Sequence, residues 1–447
     1  MIAIDSQPIY IVEDPGFISF VKSLEPRYKI PSRKYFTEKV FPKIIKGVKV
    51  VVDKILHSPN VKHYSFTTDI WSTNTAYRCL LSMTAHWMSD GFERMSAVSH
   101  VTLLEESHTG NYICEKFCQM LLTWGINKEN VHIVLRDNAS NMGRAMTDAN
   151  LCSYGCFAHS LQLVVNDGVL SQRVVSDLLA VCRSIVGHFR RSAVAYDELK
   201  KIQQQLDIPE YNLKQDEPTR WNSSLYMLQS VVEQKMSLAA YGSDGSIPVL
   251  TSTQLDIANK VIDILSPVEE ITRTISEDEA CISVIILCLL ESLQKRFYDI
   301  EETDFLVLST MLDPRYKDKI FSSTNSHEST KDLLEDVYKF QTCEKSIASV
   351  DTSALTEIDK YLFEPLIYLK KGDPYKWWKL NNVCYPVLSQ LARRYLSAPP
   401  TSVPSERLFS GAGAIYDDKR SCLKPEFMED LLLIKYNFPT VGNCYQV

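Results

Sequence analysis

Hydrophobic spacing divides the chain into a strand-rich front and a largely helical remainder. His63 to Trp71 reads as a β-strand running into a turn. Cys79 to Met88 and Glu93 to Leu103 are two further strand-like runs, separated by Ser89-Asp90-Gly91. Three sequential strands with short turns predict an antiparallel meander. From Thr109 to Trp124 the period changes, with Ile113, Phe117, Leu121 and Trp124 on one helical face and Gly125 placed to close it. Val131 to Leu135 is a short apolar β-rich run that ends at Arg136-Asp137, and Asn138 opens a second helical stretch. Tyr154 to Phe157 predicts a short fifth strand, and His159 to Leu170 a third helix. The order β-β-β-α-β-α-β-α implies a mixed sheet with helices on its faces.

From Ser171 to Arg296 the pattern is helical almost throughout. Leu178, Val181, Ile185 and Phe189 repeat at helix spacing, as do Leu255, Ala258, Val261, Ile262 and Leu265. Gly242-Ser-Asp-Gly-Ser246 is a loop. Ser322 to Thr330 and Glu344 to Thr356 are polar and read as mobile segments. A short helical pattern opens at Ile358, and an apolar helix spans Met428 to Tyr436.

Composition narrows the classes. The 447 residues are 45% hydrophobic and 23% charged, which is globular and excludes wholesale disorder. The 48 basic and 55 acidic residues leave a net charge of −7, so a uniformly basic nucleic-acid binder is excluded. The charge is unevenly distributed. Phe20 to Lys54 holds ten Lys or Arg against three acids, with Tyr28, Tyr35, Phe36 and Phe41 among them. Lysines such as Lys43, Lys46 and Lys49 on one helix can track phosphates, although a solvated helix face explains them equally simply. The twelve cysteines lie singly in apolar runs, which predicts reduced core cysteines and not a disulfide framework. The start lacks a secretory pattern, and no apolar run approaches membrane-spanning length, so no membrane partner is expected.

Several residues could carry chemistry. Asp69 ends the first strand and Asp137 the fourth, the place where functional groups gather in open α/β sheets. Paired carboxylates there can hold a divalent cation through oxygen. Helix capping at Asp137 and a turn at Asp69 are the structural alternatives. Glu406 falls in the first turn of a helix opened by Pro404 and Ser405, where the dipole alone favours an anion. Cys156-Phe-Ala-His159 has a ligand-like spacing, but no second pair follows and no structural zinc is expected. Trp221, beside Arg220, could stack on a base, although most tryptophans are core.

These segments recur as an ordered set: Phe66-Thr-Thr-Asp-Ile-Trp-Ser72, Arg136-Asp-Asn-Ala-Ser-Asn-Met142, Cys156-Phe-Ala-His-Ser-Leu-Gln162 and Thr219-Arg-Trp-Asn222. Leu312-Asp-Pro-Arg-Tyr-Lys317 and Thr401-Ser-Val-Pro-Ser-Glu-Arg-Leu-Phe-Ser410 complete it. The set resembles the hAT superfamily of DNA transposases, and within it the zinc-finger BED-domain proteins derived from them. The resemblance implies an RNase H-like fold interrupted by a helical insertion, and a C-terminal dimerisation region. It implies that Asp69, Asp137 and Glu406 match a DDE triad that holds Mg²⁺ or Mn²⁺. Cys156 and His159 match a Cys-x-x-His element beside that site, and Trp221 matches a DNA-stabilising tryptophan of the insertion. It also implies DNA as partner, a homodimer and a nuclear location.

The expected organisation is a basic helical region over residues 1–60, a first RNase H-like part over 61–170, a helical insertion over 171–354, and completion with dimerisation over 355–447. Two departures from the family pattern stand out: no BED finger precedes the basic region, and Ile282 to Arg296 looks shortened. Three functions follow from this reading. They are a dimeric DNA-binding derivative retaining the DDE residues, a working transposase, and a purely dimerising protein. The stripe Met428, Leu431, Leu432, Leu433 and Tyr436 predicts that polar substitution at Leu432 or Ile434 weakens dimerisation.

Overall fold

The computed structural model describes residues 2–58, 61–72, 79–217, 220–277, 280–285, 303–321, 324–343, 350–368, 372–415 and 425–441. Two compact units emerge. One comprises Met1–Cys156 together with Asp278–Val447, and the other Phe157–Glu277. The helices Asp304–Met311 and Thr324–Cys343 cluster with the first unit, although they lie inside the range 171–354 drawn from helical patterning.

The first unit is built on six strands: β1 (Tyr64–Thr67), β2 (Ile70–Ser72), β3 (Cys79–Met88), β4 (Arg94–Leu104), β5 (Val131–Arg136) and β6 (Ser153–Gly155). The long strand β3 pairs antiparallel with β4 on one edge and with β1 and β2 on the other. β1 then pairs parallel with β5, and β5 parallel with β6. The sheet therefore runs β4-β3-β1-β5-β6, with β2 prolonging β1. This is the mixed sheet expected from the pattern, and it agrees with the RNase H-like fold, interrupted by a helical region, that the resemblance implies.

The expected single strand at His63 to Trp71 is instead β1 and β2, broken at Thr68-Asp69. There the Thr68 N–H donates to Leu135 O (2.9 Å) and its hydroxyl to Ser82 O (2.7 Å). Of the polar segments, the described parts are helical, within Thr324–Cys343 and Val350–Phe363, while 322–323 and 344–349 lie outside the described residues. Low hydrophobicity made these segments look like loops, but backbone hydrogen bonding does not require apolar side chains. The shortened run at Ile282 to Arg296 lies mostly outside the described residues.

The basic helix Phe41–Leu56 buries Phe41, Ile45, Val48, Val52 and Leu56 along one stripe. The C-terminal helix Pro425–Val441 packs on it and on β4. Phe41 meets Phe427 edge to face with ring centroids 5.0 Å apart. Met428, Leu431, Leu432, Leu433 and Ile434 are all buried in this core. The expectation that Leu432 and Ile434 form a dimer surface is therefore corrected. A stripe in sequence identifies an apolar face, but the partner here is the chain's own sheet.

The same helix closes the free edge of the sheet. A bulge places Ser99 between the pairs Met83–His100 and Thr84–Val98. The Asn437 amide group satisfies both backbone groups of Val98, accepting from its N–H (3.1 Å) and donating to its carbonyl (2.8 Å). Glu429 accepts the Leu103 N–H at 2.9 Å. Edge amides left open would invite strand pairing with other chains.

The second unit is helical. Asp216, with its side chain almost fully buried, accepts from Arg183 Nη2 (2.7 Å) and Nε (2.8 Å) and from the Ser224 hydroxyl (3.2 Å). This ties the segment before Trp221 to the helix Arg173–Arg191. Across the described residues no helix is long and apolar enough to cross a membrane.

Candidate functional site

The β1–β5 pairing explains the first two site residues. Thr67 stands opposite Leu135 in a parallel register. Asp69 and Asp137 each lie two residues further on, so two neighbouring strands deliver both carboxylates at their carboxyl ends. The Asp69 carboxylate accepts the Ile70 N–H at 2.8 Å, and that of Asp137 accepts the Ala139 N–H at 3.3 Å. Asp137 thus also serves the turn that precedes the helix Ser140–Asp148. The Asp69 carboxyl is pushed up to about 7, first by burial and then by the charges of Asp137 and Glu406. Glu406 therefore contributes to the field at Asp69, although about 270 residues separate Asp137 from it in sequence.

Glu406 sits exposed in the first turn of the helix Val403–Ile415. Its carboxylate accepts from the Ser402 hydroxyl at 3.4 Å. The helix is fastened to the strands from both sides. The Ser405 hydroxyl lies 3.1 Å from that of Thr67, which in turn meets His86 Nε2 at 3.0 Å. His86 is pulled down to about 3 by burial and by the charge of Arg94, so it stays neutral. Phe409, one turn on, stacks against Trp71 with ring centroids 5.9 Å apart.

Cys156 links the other pieces. Its N–H donates to Arg136 O at 2.6 Å, beside Asp137, and its buried Sγ accepts the Ser402 N–H at 3.3 Å. One residue thus touches both the Asp137 loop and the start of the Glu406 helix. Among the described residues, no group of three or more His, Cys, Asp or Glu side chains is arranged to hold a metal ion. The two aspartates and Glu406 share one electrostatic neighbourhood without forming a closed ligand cage.

The remaining expected residues lie elsewhere. His159 is exposed on the helix Phe157–Val165 of the second unit. Arg220 is exposed in that unit, immediately before the helix Trp221–Glu233. Trp221 is only 2% exposed, and its N–H donates to Gln162 Oε1 at 3.1 Å. Trp221 thus packs inside the second unit, and its expected stacking on DNA would require the ring to be uncovered. Lys43, Lys46 and Lys49 are exposed on the basic helix, and Lys49 Nζ lies 3.8 Å from Asp430.

Sequence reasoning missed Thr67, His86, Ser402 and Ser405. A signal existed at Thr67, since Ser65, Thr67 and Thr68 are polar in an otherwise apolar strand, and all three are fully buried. Buried hydroxyls need partners. Here Ser397 supplies one to Ser65, at 3.0 Å.

Comparison with known proteins agrees with this architecture. A ZBED1 RNase-like domain matches residues 67–153, a ZBED1 RNase-like helical domain residues 154–263, and the hAT family C-terminal dimerisation region residues 357–438. The chain is 28% identical over 507 residues to the Homo sapiens zinc finger BED domain-containing protein 4, covering 99% of this chain and 43% of that protein. It is 26% identical over 540 residues to the Homo sapiens zinc finger BED domain-containing protein 6, covering 100% of this chain and 55% of the relative. It is 25% identical over 516 residues to the Zea mays "Putative AC transposase", covering 96% and 63%. The chain spans about half the length of these relatives. Alignments longer than the 447-residue chain mean that the relatives carry internal residues that it lacks. Three matched domains in family order, and relatives of both kinds that align over 96% or more of it, make this chain similar to hAT transposases and to zinc finger BED domain-containing proteins.

Proposed function

We propose that this is a hAT-transposase-derived nuclear protein that dimerises, binds DNA and retains a DDE-type site at Asp69, Asp137 and Glu406. The observation that carries the reading is the β1–β5 register, which sets Asp69 and Asp137 beyond adjacent strand ends, with the Asp69 carboxyl pushed up to about 7 first by burial and then by the charges of Asp137 and Glu406. Carboxylate oxygens are hard donors and fit Mg²⁺ or Mn²⁺. Asp69, Asp137 and Glu406 are the residues that would hold such an ion. When bound, it would supply charge neutralisation at a scissile phosphate and activation of water or a 3′-hydroxyl. The chain's own contribution is positional. Ser405 and Thr67 hold the Glu406 helix against β1, and Cys156 holds its start against the Asp137 loop.

For DNA, the proposed contacts are the exposed Lys43 and Lys46 of the basic helix in the first unit and, separately, Arg220 in the second. Lys49 adds less, because Asp430 offsets part of its charge. Neutralising these lysines is expected to lower both affinity and its salt dependence.

The test is nicking or joining of plasmid DNA with Mg²⁺ or Mn²⁺, comparing the chain with its Glu406→Gln variant. Cleavage by the wild type that is lost in the variant supports a working metal site. Negligible signal from both favours a second reading, a derivative whose triad is a relic of ancestry, down to a purely dimerising protein without DNA activity. That reading draws on the lack of a closed three-ligand group among the described residues.

A further inference from the structure

A polar cavity of about 460 Å³ lies in the first unit at the amino end of β1, the end opposite Asp69. Lys62, His63, Asp90, Arg393 and Arg394 line it, with amide and hydroxyl side chains around them. Its charges do not balance. Asp90 is the one carboxylate among these residues, and Arg393 engages it, with Nη1 2.9 Å from Oδ1 and Nη2 2.8 Å from the carbonyl. Arg394 is half-buried, and its Nε donates to His132 Nδ1 at 2.9 Å. Among the described residues Arg394 has no carboxylate within ion-pair distance. Lys62 stands exposed at the rim, and it too has no such partner there.

The histidines add to the imbalance. His63 Nδ1 is buried without a hydrogen-bond partner. His63 is pulled down to about 4 by burial, then by the charges of Arg394 and Lys62. His132 is lowered as well, by burial and by Arg394. A partly buried guanidinium facing two neutral rings is costly unless an anion compensates it.

We propose that this cavity is an oxyanion site that takes a phosphate group, with Arg394 and Lys62 supplying charge and the His63 ring lining the wall beside them. The phosphate belongs either to a nucleic-acid backbone or to a free phosphate or nucleotide. The guanidinium offers two parallel donors suited to a tetrahedral oxyanion.

The experiment titrates inorganic phosphate into the full chain, following thermal midpoint and the imidazole signals of ¹³C-labelled histidine. Phosphate is expected to raise the midpoint and shift the His63 signal, assigned by its loss in His63→Gln. Lys62→Gln, an exposed change that leaves the core intact, is expected to weaken binding about tenfold, the loss of one charge-assisted contact. Arg394→Gln is expected to abolish it. A short duplex oligonucleotide that displaces phosphate from His63 assigns the site to a nucleic-acid backbone; failure to displace assigns it to free phosphate. Equal phosphate response in wild type and Lys62→Gln, with no movement at His63, overturns the proposal.

Discussion

A carboxyl buried beside two others resists ionising, and Asp69 is held near half-protonation at pH 7 for that reason. Its folded pKa stands above the ordinary aspartate value near 4. Between about pH 4 and 7 the folded chain keeps a proton that the unfolded chain releases, so this group lowers stability as pH rises through that window. Asp69→Asn removes the cost. We expect the variant to unfold at higher urea concentration than wild type at pH 8, by about 1–3 kcal/mol, with the gain shrinking by pH 5. Mg²⁺ should stabilise the wild type and have little effect on the variant. The neutral histidines act in the opposite direction. His63, His86 and His100 are lowered to about 4, 3 and 4, so their contribution is lost as pH falls from about 6.5. Asp69→Asn should leave that acid limb where it is. A variant no more stable at pH 8 than wild type would remove the argument for carboxylate crowding. Both aspartates were legible in the sequence because a strand ending in Asp is a local pattern. The Cys156–Ser402 contact, 246 residues apart, was not, since nothing near either residue encodes the other.

At the scale of elements, amphipathic patterning showed which faces are apolar but not what covers them. The strand and helix order from His63 to Leu170 was readable because short strands and turns carry strong local signals. The C-terminal helix was readable as a helix, yet its destination was not. An apolar stripe looks the same whether it meets a second copy or the chain's own β4. The structure settles it through Asn437, whose amide group fits the backbone of Val98 at the bulge. Leu432 is fully buried in the same core. Leu432→Ala is therefore expected to cost about 2–5 kcal/mol of stability, in the range of buried leucine truncations. Calorimetric or urea unfolding measures this directly. A variant with unchanged stability but weakened self-association would return Leu432 to a dimer surface.

With the C-terminal stripe spent on the core, the proposed self-association needs another surface, sought within residues 357–438, the span matched by the hAT dimerisation region. Three apolar side chains there protrude almost fully: Phe363 is 92% exposed, Leu380 82% and Val383 85%. In sequence they lie within three residues of members of an aromatic cluster. Tyr361 packs on Trp378 at 5.1 Å, Trp377 stacks on Tyr385 at 5.7 Å, and the Tyr385 hydroxyl reaches Glu364 at 3.3 Å. Scattered exposed apolar residues need no explanation, but three so fully exposed within one matched region are candidates for a covered face. A second copy of the chain is the occupant that the matched region suggests. Replacing Phe363, Leu380 and Val383 together by Asp is expected to weaken the dimer by about a hundredfold or more, because three carboxylates would be left unpaired in a dehydrated seam. Folding stability should change little, because none of the three is buried. Sedimentation velocity across a concentration series separates the two effects when Leu432→Ala is run beside the triple variant. A triple variant that dimerises as tightly as wild type would place the interface outside this patch. Loss of the dimer at an unchanged melting temperature would locate it there, leaving the C-terminal helix its role within each subunit.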